Sequence, residues 1–185
     1  VVTTVGMFDV TLDGNGMGSI SVSDAVSTMS DNCGVTVTLD TSSFTCVDLG
    51  SVTVTASAVD PSGNGDSATL TVNVVDEISP VVSVQSATLT LDTNGAATLS
   101  DSDVVMSSSD NCGVAMTVLN QTMFDCSVVG TNSVLVTVTD SSGNSGSGVA
   151  SVSVVDSESP VVTTVGMFDV TLDGNGMGSI SVSDA

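Results

Sequence analysis

The 185-residue chain contains no Lys, no Arg and no His, against 21 Asp and Glu, for a formal charge of −21. With no side-chain cation, no intrachain salt bridge is expected. A groove for nucleic acid is excluded, because nothing can neutralise phosphates. A polybasic membrane patch is excluded on the same ground. So are catalysis by His or Lys and an Arg clamp on phosphate or carboxylate. Trp and Tyr are absent and only four Phe are present (Phe8, Phe44, Phe124, Phe168), which removes the usual aromatic platforms for sugars and bases. No apolar run approaches the roughly 18 residues of a membrane span, so membrane insertion by this segment is not expected. There is no signal peptide and no initiating Met, and the sequence reads as a stretch from inside something longer.

Hydrophobic residues make up 41% of the chain and mean hydropathy is +0.47. High net charge with low hydrophobicity marks disorder; here Val, Leu and Ile recur throughout, so a folded chain is expected. Its core must be mostly valine. Branching at Cβ, in Val and Thr alike, favours strands over helices.

Repetition sets the organisation. Residues 161–185 reproduce residues 1–25 letter for letter, a period of 160 residues. A weaker period of 80 lies beneath it. Leu12-Asp13 matches Leu91-Asp92, and Asp31-Asn32-Cys33-Gly34 matches Asp110-Asn111-Cys112-Gly113. Phe44 and Cys46 match Phe124 and Cys126; Asp60, Gly63 and Asn64 match Asp140, Gly143 and Asn144; Val74-Val75-Asp76 matches Val154-Val155-Asp156. The expected units are a module at 1–80, a second at 81–160, and the first strands of a third at 161–185. Fixed-period self-similarity signals a tandem array.

Within a module the apolar period is two, as in Val35-Thr-Val37-Thr-Leu39, Val52-Thr-Val54-Thr-Ala56 and Leu70-Thr-Val72-Asn-Val74. That is the pattern of half-buried strands. Between them lie Asp13-Gly14-Asn15-Gly16, the Asp24–Gly34 loop, Asp48-Leu49-Gly50 and Asp60–Asp66, all turn chemistry. About seven strands per module are expected, near 1–5, 7–13, 17–23, 35–40, 44–48, 51–60 and 67–76, with no convincing helix. The fold class is all-β: tandem Ig-like β-sandwiches, threaded as separate bodies. Pro80 and Pro160 stiffen short linkers.

Each module carries two cysteines, Cys33 and Cys46, then Cys112 and Cys126. One pair per module reads as one disulfide each, in an oxidising, extracellular compartment. Closing a loop of about 14 residues contributes on the order of 3 kcal/mol, useful to a small aromatic-poor module. The alternatives are a zinc thiolate site, which would want more ligands, and free buried thiols.

The order Asp-Asn-Cys-Gly, Phe-x-Cys, a Gly four residues on, an alternating strand, Asp-x-Ser-Gly-Asn and a closing Val-Val-Asp with a following Pro resembles the hyalin repeat (HYR) module. Both complete modules show it. The resemblance implies an Ig-like fold in extracellular adhesive or surface proteins, often in long arrays, and no catalytic residues. Two departures are the total loss of Lys and Arg, and the absence of a further Cys often found near the last strand of such repeats.

Loops of an Ig-like sandwich cluster at its two poles. At the one complete junction, Asp76 and Glu77 of the linker should approach Asp103, Asp110 and Asn111 of one loop and Asp140 and Asn144 of another. Grouped carboxylates with no protein cation repel, and a divalent ion reverses the sign. Calcium takes six to eight oxygen ligands in flexible geometry, so Ca2+ is the expected cofactor at the junction; ordinary turn and solubility roles are the alternative for each residue singly. The Asp13–Asp24 stretch only faintly resembles a helix-flanked calcium loop. Its fifth position is Met17, its twelfth is Asp rather than Glu, and no helix-period segment flanks it; a hairpin turn is expected there.

No enzyme is expected, since no His can activate the abundant Ser. Thr-x-Thr stretches (Thr36–Thr38, Thr53–Thr55, Thr137–Thr139) read as solvent faces of strands before ice-binding rows. Asn120-Gln121-Thr122 is an N-glycosylation sequon that occurs once. The sequence therefore points to a rod, stalk or filament segment at a cell surface, whose partners are its own neighbours and divalent cations. At about 3.3 Å per strand residue, the 160-residue unit extends on the order of 60–90 Å. The alternatives are an adhesin repeat binding glycan or ice, and a subunit that polymerises by strand complementation.

Overall fold

The computed structural model describes residues 1–164, 166–167 and 169–181. The first module holds eight strands: β1 (Val2–Thr4), β2 (Met7–Thr11), β3 (Met17–Ser19), β4 (Val26–Met29), β5 (Thr36–Leu39), β6 (Ser43–Thr45), β7 (Gly50–Val59) and β8 (Gly65–Val75). The second repeats them as β9 (Val81–Val84), β10 (Ala87–Thr90), β11 (Ala96–Thr98), β12 (Val105–Ser109), β13 (Val114–Leu119), β14 (Met123–Asp125), β15 (Gly130–Asp140) and β16 (Ser145–Val155). In each module a four-stranded sheet, β2-β8-β7-β5 or β10-β16-β15-β13, packs with two ribbons, β1-β4 and β3-β6 or β9-β12 and β11-β14. All pairings are antiparallel except β2 with β8 and β10 with β16. The class is the expected all-β sandwich, repeated in tandem.

Alternation positions the cores. Val54 of β7 faces inward with Leu70, Val72 and Val74 of β8, around Phe44, while Ala56 and Ala58 join Val2 in a smaller cluster. Val134 and Val136 of β15 pack with Ala150, Val152 and Val154 of β16, around Phe124. Each fully buried Val or Phe contributes about 1.5–3 kcal/mol of transfer free energy. The two modules keep separate cores. One residue crosses: Cys112 of the second module packs against the core of the first.

Two expectations need correction. The Asp24–Gly34 segment is not one loop. It begins in a single-turn helix, α1 (Val22–Ala25), and continues as β4. The second module repeats this with α2 (Asp101–Val104) and β12. A capping box holds each turn: Asp24 Oδ2 accepts from Ser21 N and Oγ, at 2.8 and 2.6 Å. The strand was illegible because Val26-Ser-Thr-Met does not alternate and is held by pairing with β1. Second, the Asp13–Gly16 turn is not a hairpin. Its flanking strands β2 and β3 belong to different layers.

Among the described residues of 161–181 no strand forms. In the first module the same letters are strands because β8 and β6 pair with β2 and β3. The 185 residues hold no segment 160 positions beyond β8 or β6 to play that part. The Asp173-Gly174-Asn175-Gly176 turn nevertheless keeps its form: Asp173 Oδ1 accepts from Asn175 N and Met177 N at 2.8 and 2.9 Å. The remaining letters of that expected third set, including Phe168 and 182–185, lie outside the described residues.

Candidate metal centre at the module junction

The closing pole of the first module meets the opening pole of the second. β8 ends there and delivers Asp76. The β12–β13 turn brings Asp110, Asn111 and Cys112, and the β15–β16 turn brings Asp140 and Asn144. Carboxylate oxygens of Asp76, Asp110 and Asp140 all lie within 4.8 Å of one another. Asp76 and Asp140 are the buried polar or charged residues among those described, at 6% and 4% exposure.

Local hydrogen bonds aim these groups. Asp76 Oδ1 accepts from Ile78 N (3.1 Å) and from Asn111 Nδ2 (3.0 Å), which ties the two modules. Asn111 Nδ2 also donates to the Asp13 carbonyl (3.1 Å). Asp110 Oδ2 accepts from Cys112 N (2.8 Å). Asp140 Oδ1 accepts from Ser142 N and Asn144 N, and its Oδ2 from Asn144 Nδ2, at 2.8–2.9 Å. Asn144 Nδ2 donates as well to the Asp76 carbonyl at 3.0 Å. Burial is the largest influence on Asp140 and raises its carboxyl. The bonds from the Asn144 side chain and backbone, Ser142 and Gly143 together outweigh it and hold the group below its ordinary value.

Three oxygens remain without any partner though buried: Asp76 Oδ2, Asp110 Oδ1 and Asn111 Oδ1. An orphaned buried acceptor costs about 1–3 kcal/mol, more when charged. Two carboxylates within 4.8 Å of each other repel by about 3 kcal/mol or more at an effective dielectric of about 20. The sequence supplies no side-chain cation to offset either cost. An all-oxygen set of three carboxylates and an amide is the donor chemistry of a hard divalent cation such as calcium or magnesium.

Of the seven residues expected to ligate, Asp76, Asp110, Asn111, Asp140 and Asn144 therefore meet. Glu77 is exposed outside the cluster. Asp103 is elsewhere: its Oδ2 caps α2 through Ser100 N (2.8 Å) and Ser100 Oγ (2.7 Å), at the opposite end of β12 from Asp110.

The cysteines pair differently from expectation. Cys46 bonds to Cys112 across the junction, with Cα atoms 5.3 Å apart, and Cys33 and Cys126 are exposed thiols. The reason is geometric. Cys46 precedes β7 at the closing pole, while Cys33 precedes β5, whose Thr36 stands opposite Val59 at the other end of β7. The ten residues of β7 hold them about 30 Å apart, and a disulfide needs about 4.4–6.8 Å between Cα atoms. Cys112 and Cys126 are separated likewise by β15. Gly16, with φ +71°, makes room for the bridge: a Cβ there would lie 2.6 Å from Cys46 Sγ and 2.9 Å from the Asn111 carbonyl oxygen.

No model of a known protein family matches the chain. Among curated proteins it is similar to hyalin of Strongylocentrotus purpuratus, 39% identical over 122 residues, an alignment covering 62% of this chain and 10% of hyalin. The chain thus spans about a tenth of that relative's length. Among solved structures it is similar to human mucin-like protocadherin EC1-2, with TM-score 0.43, 11% identity, and coverage of 85% of this chain and 99% of that one. It is also similar to the fibronectin(III)-like modules of Clostridium thermocellum CbhA, with TM-score 0.33, 15% identity, and coverage of 89% and 100%.

Proposed function

We propose that the chain is a structural segment of a long extracellular tandem-repeat protein, a rod, stalk or filament at a cell surface, whose module junctions are locked by one disulfide and one calcium ion. The observation that carries this reading is the junction itself. Three carboxylates from three segments of two modules converge within 4.8 Å, two of them with a buried unpartnered oxygen, beside a disulfide joining the same two modules. A hinge meant to swing would not concentrate buried charge at its pivot. A cation bridging Asp76 of one module to Asp110 and Asp140 of the next converts that repulsion into a clamp. The disulfide supports an oxidising, extracellular setting, and the similarity to hyalin, of which the alignment covers 10%, supports a place within a much longer protein. No catalytic role is assigned to the junction.

The test is calcium titration by calorimetry on the oxidised chain, with thermal unfolding in calcium and in EDTA. One bound cation and a higher unfolding temperature in calcium are expected. No heat of binding and identical unfolding curves would overturn the cation's part in the reading.

A further inference from the structure

Strand alternation turns Val134 and Val136 of β15 inward and leaves Leu135 outward, on the solvent face of the second module's four-stranded sheet. Leu135 stands opposite Val149 of β16, and Val118 and Met116 of β13 stand opposite Thr137 and Thr139 of β15. Leu135, Val149, Val118 and Met116 are 41%, 63%, 46% and 55% exposed. The first module has threonine at all four places. There Thr55 stands opposite Thr69, and Thr38 and Thr36 stand opposite Ser57 and Val59. One clasp fixes the correspondence: Thr55 N donates to Asp40 Oδ1, and Leu135 N to Asn120 Oδ1, each at 2.9 Å.

Charge differs on the same face. In the first module Asp9 of β2, opposite Asn73, is exposed, and so is Asp40 at the end of β5. In the second their places are taken by Thr88 of β10, opposite Ser153, and by Asn120. The clasp needs only an oxygen acceptor, which the amide supplies without a charge. β10, β13 and β16 carry no charged residue, and β15 carries only Asp140, buried at the junction. A chain with 21 acidic residues and no side-chain cation thus has a sheet face that is apolar at its centre and neutral throughout.

We infer that this face of the second module docks, side by side, on the same face of a second copy of the chain. Where two copies meet through charged surface, carboxylate opposes carboxylate with no cation to intervene. On this face neither copy presents a charge, so apolar side chains meet without opposing or desolvating one. A cationic partner would find no carboxylate here. Leu135 and Val149 lie near the middle of the eleven-residue strands β15 and β16, so a two-fold axis through the face sets the patch on itself. The surrounding Ser and Thr form a polar rim. Strand lengths and spacing give about 500 Å2 a side, or about 1,000 Å2 for the pair, the lower bound of a specific interface. A single contact is therefore weak; contacts repeated along two tandem arrays would reinforce one another. The pairing of two single chains does not depend on the junction reading.

The test is sedimentation velocity of the Cys33→Ser/Cys126→Ser chain, which cannot cross-link through its exposed thiols. EDTA removes cation bridges between chains, and salt at about 0.5 M screens the net charge. A reversible monomer–dimer equilibrium is expected in a concentration series up to about 1 mM. Leu135→Thr/Val149→Thr gives the face the letters with which the first module folds. It should weaken the dimer at least tenfold with far-UV circular dichroism unchanged. Thr88→Asp/Asn120→Asp, which restores the first module's two charges, should weaken it as well, and more at low salt than at high. A monomer at every concentration would overturn the inference. So would a dimer indifferent to both pairs of substitutions, which would place the contact elsewhere, as on the exposed apolar residues of 161–181.

Discussion

Cys46 and Cys112 stand 66 residues apart in sequence, in different modules, yet their Cα atoms are 5.3 Å apart. The bridge between them packs against the edge of the first module's core. It fixes one module against the next, at the place where three carboxylates also converge.

Disulfide mapping distinguishes this bridge from an intramodular one. Non-reducing digestion should release a peptide pair containing Cys46 and Cys112. Replacing either by Ser should keep each module folded, because both side chains are partly buried contacts at the edge of the first core rather than its centre, while loosening the junction. Far-UV circular dichroism should be unchanged, and inter-module flexibility by NMR relaxation should rise. A Cys33–Cys46 peptide would contradict the pairing.

The cation site separates Asp140 from Asp103. Asp140→Asn removes a ligand charge and should weaken calcium binding by about tenfold or more, since ligand charge count is a main determinant of affinity. Asp103→Asn, which touches only the α2 cap, should leave calcium affinity unchanged.

Two neighbouring glycines provide a paired test of packing. At Gly16 a left-handed backbone costs a Cβ-bearing residue about 1–2 kcal/mol. The added atom also meets Cys46 Sγ and the Asn111 carbonyl. Gly14 faces open space. Gly16→Ala should lower the unfolding temperature and slow formation of the bridge. Gly14→Ala should do neither.

Acid should destabilise the modules through their turns. Asp13 and Asp92 each accept two backbone N–H bonds, from Met17 and Asn15, and from Ala96 and Asn94, and both carboxyls lie below their ordinary value of 3.8. A depressed folded value means the stabilisation is present above the unfolded value and is lost as pH falls through the folded one. In EDTA, unfolding temperature should therefore fall as pH drops below about 3.8, even though protonation relieves the chain's net repulsion. The Asp13→Asn/Asp92→Asn variant should show a shallower acid limb.

Much of this was legible in the letters. Alternating valines placed β7, β8, β15 and β16, and the 80-residue match placed the junction. The polar logic of an Ig-like sandwich brought Asp76, Asp110 and Asp140 together on paper. The cysteine pairing was not legible from count alone. Two cysteines per module suggest one bridge per module until the strand between them is given its length, and β7 then sets Cys33 and Cys46 at opposite poles. Asp103 was misplaced because a four-residue helical turn has no periodicity to read, and its capping role emerges only from Ser100. Gly16 gave no signal as a junction residue, since its turn letters say nothing of the module stacked on it.

The most direct test of the junction is small-angle X-ray scattering of the full chain in four conditions: oxidised or reduced, in calcium or in EDTA. The locked junction predicts a single extended shape in the oxidised calcium form, with the two-module body on the order of 60–90 Å long. Removing calcium and reducing Cys46–Cys112 together should broaden the distance distribution and shorten the mean extension. Four superimposable profiles would contradict the account.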